Sequence, residues 1–197
     1  MNDNLFKAIN HLAGHHPILD GLMAGVTNYA LYIYAIVLLL IWLLGKEQYK
    51  KTVVYAAITG ILGLFINFII GHIYFEPRPF VSHSVNLLVE HAADASFPSD
   101  RTTGAFALAL AVIFVHRKIG IGMFLCALLT GLSRVYVGHH YPLDILGSFI
   151  VSIVISYIVF KLRPFLEPIA NRIIHIYNLI PIVPKTTENK DMKTLNK

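Results

Sequence analysis

Three short segments of this sequence gather residues that could bind an anion and transfer it. The first is Glu76-Pro77-Arg78-Pro79. Two prolines hold the chain extended, and the arginine between them presents a planar fork of donors matched to phosphate oxygens. Taken alone, it is also what a proline-rich exit from a membrane span looks like. The second runs Ser96-Phe97-Pro98-Ser99-Asp100-Arg101-Thr102-Thr103. Ser99 is placed to cap a helix, and the free N–H groups at a helix start attract an anion; a plain cap explains the same residues. The third is Ser133-Arg134-Val135-Tyr136-Val137-Gly138-His139-His140-Tyr141-Pro142-Leu143-Asp144. Pro142 suits a first helical turn, and His140 and Asp144, four apart, become neighbours if that helix begins early enough. A carboxylate that accepts one imidazole N–H fixes the tautomer and leaves the other nitrogen free as nucleophile or base. The competing reading is a His–Asp metal pair. Against it, no third ligand has a defined spacing and two arginines would repel a cation, so neither a metal nor another cofactor is expected.

The elements that must position these segments are membrane spans. The 197 residues are 56% hydrophobic and 14% charged, with a mean hydropathy of +0.64; soluble domains carry roughly a quarter charged residues. Five apolar stretches stand out, at 22–44, 52–75, 102–115, 119–137 and 143–160. A spanning helix needs about 20 apolar residues, so the third is short. It must begin in the preceding segment near Ser96–Asp100 or lie in a protein-lined recess. Leu5, Phe6, Ile9 and Leu12 recur at helical spacing, which predicts an amphipathic helix on the membrane surface. Residues 163–183 mix apolar side chains with Glu167, Arg172, His175 and three prolines, which predicts a second, interfacial helix rather than a sixth span. The expectation is therefore an all-α polytopic bundle of about five spans. Residues 1–183 would form a single integral-membrane domain, and 184–197 a polar, disordered tail. The lone cysteine, Cys126, lies in an apolar run and excludes a disulfide scaffold.

Basic residues orient the bundle. Twelve of the sixteen lysines and arginines fall in the connections 45–51 and 116–118 and after residue 160, against Lys7, Arg78, Arg101 and Arg134 on the other side. The positive-inside rule puts the twelve in the cytoplasm, which accounts for the net charge of +5 without a nucleic-acid partner. The three chemical segments then share the outer side with eight of the ten histidines. His11, His15, His16 and His83 read as parts of a solvated outer surface.

In order and spacing, the three segments resemble the type-2 phosphatidic-acid phosphatase superfamily. Its motifs are a lysine-containing stretch ending Arg-Pro, then Pro-Ser-Gly-His, then Ser-Arg, five residues, His, three residues, Asp. The third is complete in Ser133-Arg134, His140 and Asp144, and the stretches 75–80 and 91–100 resemble the bacitracin-resistance undecaprenyl-diphosphate phosphatases of bacteria. The resemblance implies that His140 attacks a terminal phosphorus and Asp144 supports its imidazolium. Arg78, Ser99, Asp100 and Arg134 would form the phosphate-binding set, with His72, Glu76, Ser133 and His139 as secondary candidates. The partner it implies is a lipid diphosphate held in the bilayer, hydrolysed on the extracytoplasmic face of a bacterial plasma membrane to regenerate the carrier lipid of cell-wall synthesis.

Two departures matter. Gly71 stands where the family has its lysine, and Arg101 where it has a histidine acting as general acid. Arginine cannot give up a proton. Either this branch does without that acid or the substitution inactivates the chain; the expectation is binding with slow turnover. The alternatives are a phosphatase of phosphatidate or phosphatidylglycerol phosphate, and a headgroup transporter without hydrolysis.

Overall fold

In a computed structural model the chain is described over residues 2–180, and the predicted polar tail at 184–197 lies outside them. Among the described residues seven helices follow one another: α1 Asn2–Asn10, α2 Pro17–Leu44, α3 Glu47–Ile73, α4 Pro79–Ser82, α5 Asp100–Ile113, α6 Arg117–Tyr136 and α7 Pro142–Leu179. By length and composition α2, α3, α6 and α7 are able to cross a membrane. Their outward faces carry exposed Ile33, Ile36, Phe65, Phe68, Ile150 and Tyr157. Such faces are stable against lipid and costly against water.

The short stretch at 102–115 meets both expectations in part, starting in the preceding segment and lying walled by protein. α5 begins at Asp100, spans 14 residues and packs against α2, α3, α6 and α7. Its sequence explains the place. Gly104, Ala105, Ala107, Ala109 and Ala111 are small, so four neighbours can approach its backbone closely. Facing them, Gly63 of α3 leaves room that a Cβ would fill to 3.2 Å from Thr103. Phe106 and Val112 supply bulk to a core shared with Tyr34, Ala56, Met123 and Ala127. Interhelical hydrogen bonds replace what water would offer. Tyr34 Oη donates to the Met123 carbonyl at 2.6 Å, and Ser152 Oγ to the Thr103 carbonyl at 3.1 Å.

Two predicted elements take a different form. The segment read as a separate interfacial helix is the continuation of α7, which runs 38 residues through Pro164 and Pro168. Each proline removes one backbone donor, but tertiary contacts hold the register. Ala170 and Leu166 pack on Val54 and Tyr55, Glu167 accepts Lys51 Nζ at 2.8 Å, and Tyr177 meets Trp42 edge to face. The sequence displays the prolines and not these partners. At the other terminus, the α1 stripe is used on protein. Phe6 is buried against Val135 and Tyr141, its ring 5.4 Å from the tyrosine, and Ile9 packs beside it, while Leu5 and Leu12 stay exposed.

The connection between α3 and α5 folds back over one end of the bundle. Ser96 N–H donates to the Glu76 carbonyl at 2.7 Å, pairing the two halves of the loop, and Asn10 and Asn86 exchange hydrogen bonds that pin its middle to α1. At the opposite end, α5 turns into α6 with little room to spare. A Cβ at Gly120 would sit 2.3 Å from Ile113 Cα and 2.4 Å from its N. Because backbone cannot yield as a side chain does, Gly120→Ala is expected to cost about 1–3 kcal/mol. The check is the melting midpoint in detergent beside Gly122→Ala, whose added methyl meets nothing within 4 Å. Equal midpoints would contradict the close approach.

Candidate active site

His140 lies in the turn between α6 and α7, and Gly138 makes that turn possible. Its φ is +89°, a conformation side-chain-bearing residues rarely adopt, and a Cβ there would meet the Asn86 carbonyl at 3.2 Å. The turn closes with His139 and His140 N–H both directed to the Arg134 carbonyl, at 3.0 and 3.3 Å. Pro142 then opens α7 as predicted.

The hydrogen bonds of His140 assign its tautomer. Nδ1 is 2.9 Å from the Ser96 carbonyl, which can only accept, so Nδ1 carries the proton. Nε2 faces Arg78 Nη1 at 2.9 Å and Arg134 Nη2 at 3.3 Å, which can only donate, so Nε2 presents its lone pair. Burial holds His140 well below the ordinary histidine range, and Arg134 and Arg78 lower it further. Asp144 Oδ2 is 3.4 Å from Nδ1. It accepts Ser96 Oγ–H at 2.5 Å and the Tyr141 N–H at 2.8 Å. The Ser96 carbonyl thus takes the direct bond that sequence spacing gave to Asp144, and the carboxylate stands just behind as a charge.

Two guanidinium groups converge on the free nitrogen. Arg78, 5% exposed, is fixed by Asp94 Oδ1 on Nε at 2.7 Å and by the His139 carbonyl on Nη1 at 3.2 Å. Arg134, 1% exposed, leaves Nε and Nη1 without a partner among the described residues. A buried guanidinium with unused donors beside a lone pair has the chemistry to receive an anion. The start of α5 borders the same segment. Ser99 occupies the N-cap position, yet its hydroxyl accepts Thr102 Oγ1 at 3.0 Å and no side chain caps the first turn. Ser99 is anchored instead through its N–H, which donates to Ser148 Oγ at 2.8 Å.

The other candidates are placed as follows. The Asp100 carboxylate accepts Asn67 Nδ2 at 2.9 Å. Arg101 turns toward α2, where Nη1 donates to the Thr27 carbonyl. Ser133 Oγ bonds Thr27 Oγ1 and the Thr130 carbonyl, tying α6 to α2. Glu76 contributes its carbonyl to Ser96, and burial raises its carboxyl, with Asp144 adding to the effect. His139 is fully buried, with Nε2 donating to the Val89 carbonyl at 2.6 Å. His72 Nδ1 bonds the Phe68 carbonyl at 2.8 Å. His72, Gly71 and Asp100 border a cavity of about 470 Å³ that also touches Phe68, Phe75 and Phe97. Sequence reasoning missed Ser96 and Asp94 as site residues. Both lie within the stretch 91–100, but nothing in their spacing announces a backbone acceptor for an imidazole or a carboxylate for an arginine.

A buried bundle site that aims a neutral imidazole and two guanidinium groups at one point belongs to the class of membrane-embedded proteins that handle phosphate groups. The chain matches the PAP2 superfamily over residues 51–167 and belongs to it. It is 52% identical to "Undecaprenyl-diphosphatase BcrC" of Bacillus subtilis (strain 168), across 91% of this chain and 93% of that protein. It is 29% identical to "Bacitracin transport permease protein BcrC" of Bacillus licheniformis, across 97% and 95%. Among solved structures it resembles Aquifex aeolicus LpxE, with a TM-score of 0.66 and 28% identity over 81% of this chain and 94% of that one.

The buried imidazoles make stability depend on pH. Burial pushes His139 down to about 3, with Arg134 adding to the effect, so it stays neutral when folded and charges on unfolding below about pH 6.5. The unfolded chain then binds the extra proton, and stability falls with falling pH by up to about 1.4 kcal/mol per unit. The melting midpoint in detergent is expected to drop from about pH 7 to about pH 5, and His139→Gln, which retains a donor for Val89, to flatten that slope. Parallel curves for the two proteins would refute the assignment.

Proposed function

We propose that the chain is an undecaprenyl-diphosphate phosphatase acting through a phosphohistidine. The observation that carries this reading is the convergence of Arg78 and Arg134 on the unprotonated Nε2 of His140. The terminal phosphoryl group sits between the guanidinium groups, where Arg134 donates its unused N–H groups to the phosphoryl oxygens. Nε2 attacks phosphorus in line, the P–O bond to the bridging oxygen breaks, and the lipid monophosphate leaves with that bond's electrons. The positive charge on His140 is met by the Ser96 carbonyl and by Asp144 behind it. Charge stabilisation and positioning are the main work of phosphoryl transfer. Water then cleaves the P–N bond and releases inorganic phosphate. No step needs a metal, and two guanidinium groups at the reacting nitrogen oppose a cation there.

The lipid diphosphate follows from the Bacillus subtilis relative and from the setting, since a polyprenyl tail can stay in the bilayer while its headgroup enters between span ends. The site faces out of the cell, at the extracytoplasmic side of a bacterial plasma membrane. The charge pattern supports this orientation: Lys46, Lys50, Lys51, Arg117 and Lys118 all lie at the end of α3 and α6 away from Arg78 and His140. The Bacillus licheniformis relative is named for bacitracin transport, which favours a second reading, transport without cleavage.

Phosphate release from undecaprenyl diphosphate and from phosphatidate, in detergent with and without EDTA, separates these readings. The expected result is turnover of the diphosphate that survives EDTA and is abolished by His140→Ala. Preference for phosphatidate would point to another lipid phosphatase, and lipid movement with no phosphate released would favour transport. Orientation has its own check. In a Cys126→Ala background, an impermeant thiol reagent on intact cells should label Ser84→Cys and spare Gln48→Cys, both at exposed positions. The reverse pattern would overturn the topology.

A further inference from the structure

Hydrolysis of the phosphohistidine requires a group that takes a proton from water. Residue 101, where the family carries a histidine, is an arginine bonded to α2. The neighbouring imidazoles differ in what they have free. His139 is 0% exposed and spends Nε2 on the Val89 carbonyl. His91, on the loop before α5, is partly open to solvent. Its Nδ1 is 3.0 Å from the Ala92 carbonyl and 3.7 Å from Asp94 Oδ1. Two acceptors facing Nδ1 put the proton there and leave the Nε2 lone pair uncommitted.

Asp94 joins His91 to the reaction centre. The same oxygen that faces His91 accepts Arg78 Nε at 2.7 Å, and Arg78 Nη1 is 2.9 Å from His140 Nε2. The His91 ring also lies edge to face with that of His139 at 4.8 Å, directly before His140 in the chain. A phosphoryl group on His140, held by Arg78, is thereby linked to His91 through the shared Asp94 oxygen.

We propose that His91 is the general base of the second step, taking over the proton transfer that arginine at position 101 cannot perform. This rests on the phosphohistidine reading above. His91 Nε2 removes one proton from water as the water oxygen bonds to phosphorus. The P–N bond breaks, its electron pair returns to His140 Nε2, and inorganic phosphate departs. His91, now charged, loses its proton to bulk water through its exposed edge. Asp94 and the Ala92 carbonyl favour the charged ring, while Arg78 and Arg134 oppose it. Burial leads the balance and holds His91 below the ordinary histidine range, so it is neutral and competent near pH 7. With that base present, the ground for expecting slow turnover from Arg101 alone disappears.

The test is steady-state and rapid-quench kinetics on undecaprenyl diphosphate with the full chain and with His91→Ala and His91→Gln, each checked for an unchanged melting midpoint. Removal of a general base typically costs about 10²–10⁴-fold. If His91 serves only the second step, kcat should fall at least about tenfold while kcat/KM, which reports steps through departure of the lipid phosphate, stays within about twofold. Acid-labile phosphate on the protein should accumulate, and added imidazole should restore kcat to His91→Ala. Unchanged kcat would overturn the proposal, as would kcat and kcat/KM falling together without trapped phosphate. If the parent chain releases no phosphate from any lipid diphosphate, the function reading fails, and the role of His91 with it; a parent that turns over normally beside an indifferent His91→Ala sinks His91 alone.

Discussion

Everything at the His140 end of this bundle depends on keeping two guanidinium groups buried beside one neutral imidazole. Arg78 and Arg134 are almost fully buried and lie within 2.9 and 3.3 Å of the same nitrogen. Burying unpaired charge costs several kcal/mol per ion, and here the compensation is deliberately incomplete. Asp94 and the His139 carbonyl occupy part of Arg78, whereas Arg134 retains two donors without a partner among the described residues. The arrangement is destabilising when empty and favourable when an anion with several oxygens arrives. In the proposed reading, binding and activation are one electrostatic device, because the charges that would attract the phosphate also keep Nε2 unprotonated.

Such a device needs a rigid frame, and the frame is made from small and hydroxylated residues. α5 brings its first turn into the middle of the bundle because Ala and Gly let four helices close around it. Ser148 receives the Ser99 N–H and donates onward to carbonyls of Ser99 and Asp144, and Asn67 bridges α3 to Asp100 and Thr103. Each hydroxyl or amide satisfies a polar group that lipid cannot. The loop between α3 and α5 completes the frame by lending one carbonyl, that of Ser96, to His140.

Much of this was legible in the sequence, for identifiable reasons. The spans follow from uninterrupted hydropathy, and the third motif from residue types at helical spacing, which needs only local geometry. The recess of α5 was foreshadowed by a stretch too short to span. Contacts between distant segments carry no such signal. The interval from Ser96 to His140 obeys no helical period, so the backbone acceptor was invisible and Asp144 appeared to hold the imidazole alone. Likewise the prolines at 164 and 168 predicted a break, since nothing local reveals Glu167 meeting Lys51 or Tyr177 meeting Trp42. Arg101 illustrates a third case: its departure from the family pattern is plain in sequence, but its turn toward Thr27 is not.

The central claim is that His140 Nε2 itself bonds to phosphorus. Stereochemistry at that atom tests it most directly. A prenyl diphosphate carrying a chiral, isotopically labelled terminal thiophosphate is hydrolysed in labelled water, and the configuration of the released thiophosphate is determined. Attack by His140 followed by attack by water inverts phosphorus twice, so the account predicts net retention. Net inversion would mean that water attacks the diphosphate directly, and that His140 is not the nucleophile.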